Sequence, residues 1–151
     1  MTLRERLMAE IKDAMKARDA ARLSALRLMS GALKDREIAL RGEAGAMTGA
    51  DELAVLARMV KQRQESVKLF LDGKRIDLAD KEQAEIAVIE EFLPMALSGA
   101  ETEAAIAAAV SEVGAASVKD MGRVMAVLKG RYTGQMDFGT VGALIKARLG
   151  A

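Results

Sequence analysis

Glu82-Gln83-Ala84-Glu85-Ile86-Ala87-Val88-Ile89-Glu90-Glu91-Phe92-Leu93-Pro94 decides how this chain is divided. Ile86, Ile89 and Leu93 recur at three- and four-residue steps, a spacing that lines one side of an α-helix. Pro94 is the only proline in 151 residues. Its ring drives the preceding residue out of helical geometry, so the helix ends here and Leu93–Pro94 is a natural boundary. The sequence therefore reads as two domains, residues 1–93 and 94–151.

Working upstream, Asp77 or Asp80 is expected to open that helix. Before it, Thr48 or Asp51 starts a longer one carrying Leu53, Leu56, Val60, Val67 and Phe70, with Gly73 as its stop. Gly42 to Ala50 reads as a loop. Asp19 caps a helix with Leu26, Met29, Leu33 and Leu40. Thr2 and Glu5 form a capping box ahead of Leu3, Leu7, Ile11 and Met15. Downstream of Pro94, Ser98 and Glu101 form another box, and Ile106, Val110 and Val113 lead to Gly114. Ser117 caps a helix with Met121, Val124, Met125 and Leu128 that stops at Gly130. Asp137 caps the last, with Val141, Leu144, Ile145 and Leu149. No alternating β-branched run occurs, so strands are not expected. The predicted class is all-α: about four helices, then a small domain of three.

Composition removes much chemistry. Cysteine, histidine and tryptophan are absent, and so is asparagine. Thiolate and imidazole metal sites, cysteine nucleophiles, Ser–His–Asp arrangements and disulfides are all excluded. Glu82 and Glu85 resemble half of a carboxylate metal site, but the histidines of that motif are missing. Gly130 to Gly134 has neither the lysine placement nor the preceding strand of a phosphate-cradling loop. No catalytic set, metal site or cofactor is expected. The first residues lack the apolar core of a secretory signal, and the longest alanine-rich run, Ala104 to Val110, is too short to span a membrane. The expectation is a cytoplasmic protein with no membrane partner.

Net charge is +1, but its distribution is uneven. Residues 1–41 hold ten bases and six acids, residues 76–112 one base and nine acids, and residues 113–151 six bases and two acids. Mixed charge on amphipathic helices is usually a solvated face; two basic ends around an acidic middle also suit a polyanion. Arg27, Lys34 and Arg41 recur every seven residues and form one basic stripe, with Glu37 placed to neutralise Arg41. Lys119 and Arg123 stand one turn apart, and Lys129 and Arg131 follow beside Tyr132 and Gly134. Such residues hold a phosphate backbone and stack a base. Equally, Lys129 suits a helix C-terminus and Tyr132 suits packing. Arg63 interrupts the apolar stripe between Val60 and Val67. It is either a snorkelling arginine or one half of a buried pair with Glu82 or Glu85.

Several runs together resemble the YqeY-like family: Lys61-Gln62-Arg63-Gln64-Glu65-Ser66, Asp77 to Glu82, Glu85-Ile86 through Phe92-Leu93-Pro94, Val113-Gly114-Ala115, Asp120 to Met125, and Gly134 to Asp137. Members of that family are similar to the tail of the GatB subunit of glutamine-dependent tRNA amidotransferase. The resemblance implies a helical domain followed by a three-helix tail-like domain, and an engagement with tRNA away from the chemistry. It supplies no active site, so a carbon–nitrogen ligase label would hold only through a partner carrying one. The expected function is therefore non-catalytic binding of tRNA or another structured RNA. Phosphate contacts are expected from Lys119, Arg123, Lys129 and Arg131, stacking from Tyr132, and a secondary surface from Arg27, Lys34 and Arg41. The alternative is a module that docks on a protein of the translation or amidation machinery.

Overall fold

The structure, a computed structural model, describes residues 1–42 and 45–150. Among them are seven α-helices and no strand: α1 (Leu3–Ala17), α2 (Ala20–Arg41), α3 (Gly49–Asp72), α4 (Ile76–Glu90), α5 (Gly99–Val113), α6 (Met121–Tyr132) and α7 (Phe138–Gly150). A single 3-10 turn, Val118–Asp120, leads into α6. The all-α reading holds. The chain forms two compact units, Met1–Leu93 and Pro94–Ala151.

Most helix starts follow from side chains that bond to their own backbone. Thr2, Thr48 and Ser98 each accept an N–H three residues on, and Glu5, Asp51 and Glu101 reach back to complete the boxes. Asp19 accepts from the Arg22 N–H. Asp137 accepts from the Gly139 N–H and the Thr140 hydroxyl at the head of α7.

The first unit buries Leu7, Leu26, Met29, Leu33, Leu56, Ile86 and Ile89 as its centre. Charged clamps surround this core. Arg22 of α2 donates to Glu10 of α1 at 2.9 Å and to Glu91 at 2.7 Å. Arg6 donates to the Glu91 carbonyl and lies 4.4 Å from the centre of the Phe92 ring. The second unit buries Ala105, Ile106 and Ala109 of α5 against Val124 and Leu128 of α6 and Val141 and Ile145 of α7.

Four local expectations are corrected. Met15 is exposed: four-residue steps advance about 40° each around a helix, so the row from Leu3 through Leu7 and Ile11 has left the core by Met15, and Ala14 is buried instead. Helix α4 begins before Asp77, with Arg75 at its cap making no side-chain cap bond; Asp77 instead accepts from the Arg75 guanidinium. Helix α6 runs through Gly130 to Tyr132. Ser117 opens the 3-10 turn, with Asp120 reaching back to its N–H, and α6 begins only after that turn.

Helix α3 ends at Asp72 with Gly73 as its cap, the stop expected from the sequence, but Gly73 is not the left-handed residue of the turn. Gly73 has φ −82°, while Lys74 takes the left-handed conformation at φ 58°. The Arg75 N–H closes this turn on the Phe70 carbonyl at 2.7 Å. Glycine thus stands one residue before the position that favours it. Lys74→Gly should raise stability by about 1 kcal/mol, because the side chain's clash in the left-handed region disappears. Gly73→Ala should add to it, since the new methyl would meet the Leu69 and Phe70 carbonyl oxygens at ordinary distances of 3.5 and 3.8 Å. Urea midpoints at unchanged slope would measure both; a fall in either midpoint would contradict this account of the turn.

Candidate nucleic-acid interface

The basic residues of the second unit do not share one fate. Asp120 sits at the junction of the 3-10 turn and α6. It accepts the Ala116 N–H at 2.9 Å and the Ser117 N–H at 3.2 Å, and the Arg123 guanidinium at 2.7 Å. The Ala116 N–H, the Arg123 guanidinium and the Ser117 N–H together hold its carboxyl down at about 2. Arg123 also donates to the Val113 carbonyl at 3.2 Å. Its guanidinium therefore ties the end of α5 to the start of α6. Arg131 forms a two-pronged pair with Glu112 of α5, 2.7 Å at each prong. These two arginines carry local neutralising partners, and the geometry gives them a bracing role.

Lys119 and Lys129 are exposed, and their side chains make no hydrogen bond or ion pair among the described residues. Tyr132 is half-buried and packs against the second core, which is the packing role rather than an open stacking platform. The Thr133 hydroxyl donates to the Lys129 carbonyl, which closes the end of α6.

Packing of α7 adds a residue that the sequence reading passed over. A Cβ on Gly142 would stand 3.4 Å from Met121 Cε, and one on Gly150 would stand 3.7 Å from a Val118 methyl. These approaches pack α7 against α6 and the 3-10 turn before it. Each residue turns a helix by about 100°. On α7, Lys146 lies about 40° beyond Gly142, on the side away from Val141 and Ile145. On α6, Lys129 lies about 80° beyond Met121, again away from the core. Both lysines thus lie on exposed sides of their helices turned away from the core, and Lys119 is exposed next to Val118. Gly122, on the same side of α6 as Lys129, has no atom within 4 Å of where a side chain would begin.

In the first unit, Arg27, Lys34 and Arg41 are all exposed along α2. Glu37 does not neutralise Arg41: it accepts from Arg4 of α1 at 2.9 Å. Arg63 donates from Nε to Glu85 at 3.0 Å and from Nη1 to the Met59 carbonyl at 3.3 Å. Both members of that pair are only 15% exposed. Glu82, one turn earlier on α4, takes no part. Among the described residues no cluster of acids could hold a metal ion, and no helix is long and apolar enough to cross a membrane.

Residues 4–149 match the family model described as Yqey-like protein, nearly the whole chain. The chain belongs to the YqeY-like family. Its relatives include the Saccharomyces cerevisiae "Altered inheritance of mitochondria protein 41, mitochondrial", 37% identical over 90 residues, covering 58% of this chain and 46% of that protein. The Candida glabrata protein of the same name is 34% identical over 90 residues, with 58% and 47% covered. A Schizosaccharomyces pombe relative, named only as uncharacterized, is 32% identical over 85 residues, with 56% and 67% covered. The chain thus spans about half the length of the Saccharomyces and Candida relatives that it matches. The Saccharomyces and Candida relatives are named as mitochondrial proteins.

Proposed function

We propose that this YqeY-like protein binds tRNA or a similarly structured RNA without catalysis, reading shape and backbone charge through Lys119, Lys129 and Lys146. The observation that carries this reading is that Lys119, Lys129 and Lys146 of the second unit are exposed and carry no ion pair among the described residues, whereas Arg123 and Arg131 are paired with acids. Exposed lysine ammonium groups suit the phosphates of an A-form backbone, whose recognition rests on shape and charge more than on base edges. Arg123 and Arg131 are assigned to bracing α5 against α6, and Tyr132 to packing. Any amide-transfer chemistry would belong to a partner carrying the active site. The compartment in which this binding takes place is proposed to be the cytoplasm.

Fluorescence anisotropy of labelled bulk tRNA, titrated at several salt concentrations beside a plain RNA duplex, tests the reading. Three lysine contacts give a slope of log K against log salt of about −2 to −3. Each Lys→Ala change should weaken binding and reduce that slope by about 1, and the triple variant should retain little affinity. Absence of binding at low salt, or a triple variant that binds like the parent, would overturn the proposal.

A further inference from the structure

Helix α2 has two faces, and only one is used. It buries Ala25, Leu26, Met29, Leu33 and Leu40 in the core. About half a turn around, Leu28 and Ile38 remain 47% and 51% exposed. Gly31 lies between them with no atom within 4 Å of where its side chain would begin. Near the start of the helix, Ala20, Leu23, Ser24, Arg27 and Leu28 line a shallow recess of about 400 Å³.

The polar pattern beside this face is regular. Arg27, Lys34 and Arg41 stand seven residues apart, all exposed and with no carboxylate partner among the described residues. Elsewhere in the same unit, Arg4, Arg22, Arg63 and Arg75 are each paired with an acid. In heptad terms Leu28, Gly31, Asp35 and Ile38 occupy the seam, and the three cations occupy one flank. That is the flank where charge selects a partner helix and its orientation.

We infer that the outer face of α2 docks an amphipathic helix of a protein partner, one whose apolar seam is edged by carboxylates repeating every seven residues. Charge complementarity fixes the acidic edge, since three cations lie in register and make no ion pair among the described residues, Arg41 alone bordering a recess that Glu37 and Glu52 share. The exposed Leu28 and Ile38 and the recess beside Leu23 call for apolar side chains, which a phosphate backbone does not offer. Asp35, in the middle of the same face, also disfavours a polyanion. Gly31 gives a close approach at the centre of the seam. This surface lies on the first unit and is independent of the exposed lysines of the second.

The probe is a synthetic helix of about three heptads with leucine at both seam positions and glutamate on both flanks, whose like charges keep it from pairing with itself. A counterpart carries lysine on both flanks. Anisotropy of each labelled peptide is titrated with the full chain. The glutamate peptide should bind saturably and the lysine peptide should not. Lys34→Glu should weaken the glutamate peptide about tenfold. Ile38→Asp should weaken it too. The triple change Arg27→Glu/Lys34→Glu/Arg41→Glu should abolish it and admit the lysine peptide. All these side chains are exposed, so melting temperatures should stay at the parent value and exclude misfolding as the cause. Failure of the glutamate peptide to bind, or equal binding of both peptides, would overturn the inference. So would a triple variant that leaves peptide binding intact but loses labelled tRNA, which would make the face an RNA surface.

Discussion

Ile145→Ala is expected to cost the C-terminal unit about 3 to 4 kcal/mol, enough to leave α5 to α7 largely unprotected in the intact chain. Ile145 has no exposed surface and meets Ile106, Ala109, Val124, Leu128 and Val141 in the second core. Two of the seven fully buried residues there are alanines, so each large side chain carries a big share of the apolar burial. A unit of 58 residues, Pro94–Ala151, sits near the size at which folding free energy is only a few kcal/mol. A cavity of several methylenes therefore consumes most of it. Hydrogen exchange read by mass spectrometry should show rapid exchange of the amides of residues 99–150. Leu144→Ala is the control: its side chain is 38% exposed, and its loss should stay within about 0.5 kcal/mol. Equal effects of the two changes would mean that Ile145 is not at the centre of this core.

How much of this was legible in the sequence depends on how local the deciding interaction is. The boxes at Thr2, Thr48 and Ser98 and the cap at Asp19 join a side chain to backbone three residues away, and the sequence displays both partners. Helix α4 was misplaced because Arg75 caps it without a side-chain bond, so there was no chemical signature to read. The all-α class followed from apolar spacing alone. Pairings of charge were less readable. The i, i+4 spacing joined Glu37 to Arg41, yet Arg4, 33 residues away, holds that carboxylate. Asp120 and Arg123 stand at i, i+3, a spacing that was available as a signal and shows that Arg123 carries a partner of its own. Lys146 is not singled out by the sequence because its exposure depends on how α7 packs against α6, where Gly142 meets Met121. The basic character of the C-terminal end was visible; which of its cations are left unpaired was not.

Breaking the Arg63–Glu85 pair is expected to be as damaging as emptying part of the core, while replacing both partners should cost little. With 15% of each side chain exposed, the two charges are largely out of water. Arg63→Ala leaves a largely buried Glu85 without its guanidinium partner and removes that guanidinium from the Met59 carbonyl, a loss of about 2 to 3 kcal/mol. That lies just below the cost at a fully buried site, because residual water screens the orphaned carboxylate. Arg63→Met/Glu85→Leu removes the desolvation penalty of both charges and fills the space with apolar groups, so it should unfold within about 1 kcal/mol of the parent. The pair joins α3 to α4 on the stripe that continues Val60 and Val67, so apolar replacements find neighbours to pack against. A double-mutant cycle in urea would separate the coupling from the loss of packing. If the double replacement is as unstable as Arg63→Ala, the ion pair itself contributes net stability at this site. If Arg63→Ala is neutral, the guanidinium is solvated at the edge of the interface, as a snorkelling arginine would be, and the closeness of Glu85 is incidental.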